Sequence, residues 1–144
     1  MIRIIAVGRM KDRRLAELVD DYLRRCQPLA GVQVSEVKDS RPEKEARDLL
    51  AALGAPGGNE LVVALDEHGE ALDSVGFSRW LGTHGSLRFI IGGADGLAPA
   101  VKQRADRLLR LSRLTFTHEM ARVLLAEQIY RGLAILRGLP YHRA

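Results

Sequence analysis

The chain has 144 residues, 47% of them hydrophobic and 28% charged, with a formal net charge of +4. That length suffices for one domain with a buried core, and the balance excludes a disordered or low-complexity protein. The single cysteine excludes an internal disulfide framework, no apolar run reaches membrane-span length, and no metal-ligand spacing is present. The opening residues lack the organisation of a signal peptide, so a cytoplasmic protein without membrane association is expected. A basic balance favours polyanionic partners. Three Phe, three Tyr and one Trp are too few for a base-stacking platform to be the main device.

Met1–Val7 reads as a strand closed by Gly8. Lys11–Arg25 carries Leu15, Leu18, Val19, Tyr22 and Leu23 at helical spacing. Val32–Val37 alternates and predicts a strand with one wet face, near a sheet edge. Glu43–Leu53 predicts a helix with Ala46, Leu49, Leu50 and Leu53 on one side, closed by the glycine-rich stretch from Gly54 to Asn59. Leu61–Leu65 predicts a buried strand that runs into a polar loop, Asp66–Gly69. Ser74 is a plausible N-cap for a helix through Leu81.

Leu87–Ile91 is an unbroken apolar run that stops at Gly92-Gly93, as suits a strand buried on both faces. Pro99 suits the first turn of the next helix, expected to carry Val101, Ala105 and Leu108. A last strand is expected near Leu108–Ser112, followed by a loop or short extended segment to Thr117. Glu119–Arg137 predicts a long closing helix, with Gly138 at its stop and a short tail beyond. The alternation of strands and helices predicts one α/β domain, residues 1–144, built on a mainly parallel sheet.

No Walker loop, dinucleotide fingerprint or nucleophile elbow is present. Three segments each follow a predicted buried strand: Leu65-Asp66, Gly92–Gly96 and Leu111–Phe116. In a parallel sheet they share one edge, where ligands bind. They are either the walls of one crevice or three ordinary loops. Glu127 and Arg131 are spaced to pair along the closing helix, and Arg122 and Arg131 are either part of a solvated face or anchors for phosphate or a partner subunit. Tyr141-His142-Arg143 combines residues suited to stacking, proton handling and phosphate contact, in a position where chain ends commonly fray.

Taken together, several stretches make the chain resemble one family. They are Ile5–Gly8, Tyr22–Arg25, Leu65-Asp66, Phe89–Gly96, Leu111–Phe116, Arg122–Leu124, Ala126–Arg131 and Pro140–Arg143. The family is the ribosomal RNA large subunit methyltransferase H family of the SPOUT superfamily, and the resemblance spans essentially the whole chain. It implies an α/β knot with a deep C-terminal trefoil, and bound S-adenosylmethionine. It implies a homodimer with the closing helix in its interface.

The implied substrate is pseudouridine 1915 of 23S rRNA, methylated at N3 on the assembled ribosome. Cofactor contacts carry over to Leu65, Gly92, Leu111, Ser112, Arg113, Leu114, Thr115 and Phe116. Within that framework His142 is the leading candidate for proton handling. Tyr141 and Arg143 would place the base, and Glu127 is the second candidate base. Thr117 and Glu119 depart from the proline and neutral residue of many relatives, which leaves the role of Glu119 open. A non-catalytic ribosome-binding protein that kept the fold is the alternative.

Overall fold

In the computed structural model, which describes residues 1–143, five strands alternate with five helices. They are β1 (Ile2–Val7), α1 (Arg13–Cys26), β2 (Val32–Val37), α2 (Pro42–Leu53) and β3 (Glu60–Ala71). Then follow α3 (Ser74–Thr83), β4 (Ser86–Ile91), α4 (Pro99–Arg104), β5 (Arg107–Arg110) and α5 (His118–Leu136). All strand pairs are parallel, in the order β2-β1-β4-β3-β5. The wet-faced β2 is at one edge, as its alternation predicts.

Period-two alternation divides the three central strands between two cores. Ile4, Ala6, Val63, Phe89 and Ile91 face α3 and α5, packing on Phe77, Leu81, Leu125 and Ile129. Ile5, Val7, Val62, Ala64 and Ile90 face α2 and α4, packing on Leu49, Leu53 and Val101. Burial on both faces is why these strands read as continuous apolar runs. Helix α1 lies against α5 through Val19, Val123 and Ala126.

Three local expectations are corrected. The segment Asp66–Gly69 is not a loop: β3 continues to Ala71, with a register shift between Leu65 and Glu70 along β5. A Cβ on Gly69 would lie 2.6 Å from the Leu108 carbonyl carbon, so only glycine lets β3 resume pairing there. The N-cap of α3 is Asp73, whose Oδ1 accepts from the Gly76 N–H at 2.7 Å; the Ser74 hydroxyl instead donates to Gln128 Oε1 at 2.7 Å. Helix α4 ends at Arg104, so Leu108 belongs to β5. Asp106 marks the change: its backbone N–H donates to the Val62 carbonyl and its Oδ2 accepts from the Val62 N–H, both at 2.8 Å. No helix of the described residues is long and apolar enough to cross a membrane.

Candidate functional site: a crevice at the carboxyl edge of the sheet

The three segments after β3, β4 and β5 converge on one cavity of about 690 Å³. Leu65, Asp66 and Glu67 form one wall, Ile91 to Leu97 a second, and Leu109 to Ser112 with Leu114 to Thr117 a third. Lys102, His118 and Ala121 complete it. Of the eight residues expected to contact a cofactor, only Arg113 is absent from the lining. The crevice is part apolar side chain and part backbone, which suits a flat heteroaromatic ligand held by main-chain groups.

Its charge is specific. Asp66 pairs with Lys102 at 3.1 Å across the end of β3, while Glu67 and Asp95 add two further carboxylates. Lys102, on the short helix α4, is a lining residue for which the sequence carries no signal beyond a helical position. Thr117 and His118 are lining residues too. Thr117 caps α5, its Oγ1 accepting from the Met120 N–H at 3.3 Å, and a threonine before a helical run is a legible cap.

Gly92 lies in the wall, but the space freed by its missing Cβ is taken by the chain itself. A Cβ there would sit 2.8 Å from the Gly96 carbonyl carbon and 3.1 Å from Leu97 Cγ. The loop turns back at once: the Gly96 N–H donates to the Gly93 carbonyl at 3.0 Å, and Gly96 has φ of +76°. The glycines thus shape the wall by letting the backbone fold on itself.

The tail is ordered by one carboxylate. Glu127 Oε2 accepts from the Tyr141 hydroxyl at 2.6 Å and from Arg131 Nη2 at 2.8 Å, and Oε1 accepts from Gln128 Nε2 at 2.9 Å. With both oxygens engaged, Glu127 acts as an anchor. Arg131 Nη1 lies 3.1 Å from His142 Nδ1. A guanidinium has no acceptor, so Nδ1 accepts and the ring proton sits on Nε2. Tyr141 packs edge-on against Tyr130 with centroids 4.7 Å apart, and Arg131 lies over its ring at 4.8 Å. Burial, then the hydrogen bond to Glu127, push the Tyr141 phenol well above the ordinary tyrosine value. The same Glu127 bond holds Arg131 more firmly protonated.

Within one chain the tail and the crevice are not brought together. His142 lines a neighbouring cavity of about 520 Å³, separated from the first by Leu109, Arg110, Leu111 and Phe116, which border both. Arg122 is buried, donating to Glu36 and to the Gly8 carbonyl, so it is a core brace between α5 and the ends of β1 and β2. Glu119 has a local role: its Oε1 accepts from the backbone N–H groups of Lys11 and Asp12, each at 3.1 Å, fastening the entry to α1. No group of three or more His, Cys, Asp or Glu is placed to hold a metal among the described residues.

A parallel α/β sheet with a ligand crevice built from three consecutive strand ends and closed by a C-terminal helix is the plan of the SPOUT class. The family model described as "Predicted SPOUT methyltransferase" matches residues 1–142. A probable methylase family protein from Haemophilus influenzae Rd KW20 has the same fold, with TM-score 0.59 and 11% identity over 99% of this chain and 70% of that one. The SpoU methyltransferase AviRb from Streptomyces viridochromogenes, solved with AdoMet, superposes with TM-score 0.51 and 17% identity over 95% of this chain and 58% of its own.

Sequence relatives are closer. The ribosomal RNA large subunit methyltransferase H of Synechococcus sp. (strain RCC307) is 49% identical, with 99% of this chain and 95% of the relative aligned. That of Anaeromyxobacter dehalogenans (strain 2CP-C) is 40% identical, with 99% of both aligned. The chain belongs to the SPOUT methyltransferases and, among them, to the ribosomal RNA large subunit methyltransferase H family.

Proposed function

We propose that this protein is an S-adenosylmethionine-dependent methyltransferase of large-subunit ribosomal RNA, acting on N3 of pseudouridine 1915 in the assembled ribosome. The observation that carries the reading is the convergence of Leu65, Gly92 and the Leu111–Phe116 loop on one crevice, in a chain with full-length relatives of that name. The crevice fits the cofactor chemically. Apolar walls and free backbone groups suit adenine, and three carboxylates, Asp66, Glu67 and Asp95, against two cations, Lys102 and Arg110, leave a negative balance that suits a ligand bearing a sulfonium.

When bound, the cofactor supplies an electrophilic methyl group. The protein's part is to place the base and manage the N3 proton. Arg131 fixes the His142 ring so that Nε2 presents an N–H, suited to the uracil carbonyl beside N3, where charge builds as the imide proton leaves. Acceptance of that proton by His142 requires release from Arg131. Arg143, exposed at the chain end, is available for backbone phosphate, and Tyr141 sets the tail's position through Glu127.

A homodimer with α5 in its interface is part of the same reading, with the substrate base at the subunit boundary. It accounts for a tail and a crevice that lie apart within one chain. It is supported by exposed apolar side chains beside both: Leu114 at 74%, Phe116 at 37% and Leu139 at 41%. The trefoil threading belongs to this reading too. β5 is an edge strand, yet α5 starts near the ends of β1 and β2, so residues 111–117 cross over the sheet beside the Gly92–Leu97 loop.

Mass spectrometry of 23S rRNA after incubation with unmodified ribosomes and cofactor tests the activity. One added methyl on the pseudouridine, obtained with whole ribosomes and not with free rRNA, is expected. Absence of any methyl, with the protein folded, favours the non-catalytic alternative. His142→Ala should lower turnover by roughly a hundredfold or more, the range for loss of a proton-handling group.

A further inference from the structure

We infer that the Asp66–Lys102 ion pair is the receptor for the amino-acid end of the cofactor, Lys102 taking its α-carboxylate and Asp66 its α-ammonium. The inference rests on the cofactor assignment proposed above and adds the residues that select for the zwitterion.

The pair lies in the crevice wall, Lys102 Nζ 3.1 Å from Asp66 Oδ1, with side-chain exposures of 35% and 12%. Asp66 is largely withdrawn from water while Lys102 stays about a third exposed, so both charges can be reached by a ligand from the crevice. The pair is isolated from the rest of the protein's polar groups. Neither group hydrogen-bonds any other side chain or backbone group among the described residues. Lys102 keeps N–H donors in hand, and Asp66 keeps its second oxygen.

A ligand end carrying one anion and one cation side by side presents the mirror image of this pair. Docked against it, the four charges alternate in sign, and each group gains a second partner of opposite charge. The bland alternative is a brace clipping α4 to the end of β3. That brace is redundant: α4 is already anchored by Val101, which is 0% exposed in the core beneath it.

Two ligands that differ only at this end separate the readings. S-adenosylhomocysteine has the amino-acid group; 5′-methylthioadenosine keeps the nucleoside and sulfur without it. Calorimetry on the full chain should show wild type preferring the first. Lys102→Met and Asp66→Asn should each weaken S-adenosylhomocysteine by about 10- to 100-fold, the worth of a charge-assisted hydrogen bond. They should leave 5′-methylthioadenosine within about twofold, since the nucleoside contacts lie elsewhere. Lys102→Arg should restore most of the loss. If the variants weaken both ligands in parallel, the pair is a structural brace and the inference is overturned; if they weaken neither, it is a spectator and the inference is equally overturned. Wild type that binds neither ligand would instead sink the cofactor assignment itself. Retained 5′-methylthioadenosine binding reports an intact crevice in each variant.

Discussion

The Glu127 carboxylate takes bonds from Tyr141, Arg131 and Gln128, so one side chain on α5 sets the position of the whole tail. Glu127→Gln keeps an acceptor for the Tyr141 hydroxyl but removes the negative charge that opposes ionisation of its phenol. The Tyr141 ionisation should then fall toward the ordinary tyrosine value, read by ultraviolet absorbance titration; an unchanged titration would show that burial alone sustains the shift. The spacing of Glu127 and Arg131 made their pairing legible in the sequence. The choice of Tyr141 as a third member was not, because it depends on how the chain turns after Gly138.

Cys26 is buried, and burial pushes its thiol up to about 11 from an ordinary value of 9.0. The folded state therefore favours the neutral thiol. Its contribution is fully present below pH 9 and is lost as pH rises through about 11. Urea unfolding midpoints of wild type should drop more steeply across that interval than those of Cys26→Ala. Gly92→Ala would force a methyl into the Gly96 backbone, opening the turn; S-adenosylhomocysteine affinity should fall about tenfold or more, from a distortion costing ~1–3 kcal/mol.

At the scale of elements, β3 departs most from expectation. Its second half is polar and reads as a loop, yet β5 pairs with it on both sides of the register shift. The pairing partner is some forty residues distant, so no local pattern announces it. Gly69→Ala should destabilise the protein by about 1–3 kcal/mol, because the Cβ meets backbone that cannot rotate away; a denaturation curve matching wild type would contradict the close approach. Thr117→Ala removes the α5 cap and should cost about 1 kcal/mol in the same assay.

For the molecule as a whole, the parallel sheet brings three loops to one edge, with exposed apolar residues beside them where the proposed partner subunit would dock. Sedimentation should give twice the chain mass of 15.9 kDa. Leu114→Arg, a charge placed on a side chain that is 74% exposed, should shift the mass toward the monomer while leaving the circular dichroism spectrum intact. A monomeric wild type would remove the subunit-boundary site.

Apolar periodicity by itself determined the alternation of strands and helices, the buried strand at Leu61–Leu65, the doubly buried one at Leu87–Ile91, and the wet edge strand β2. It did so because burial on one face or two leaves a local trace in residue order. Family motifs in the same sequence marked the crevice loops and the tail. Only the tertiary structure decided that the three loops share one cavity, that Lys102 faces Asp66 in its wall, and that the tail lies behind the Leu111–Phe116 loop. These are matters of strand order and crossover path, which depend on which distant surfaces bury each other and leave no period in the chain.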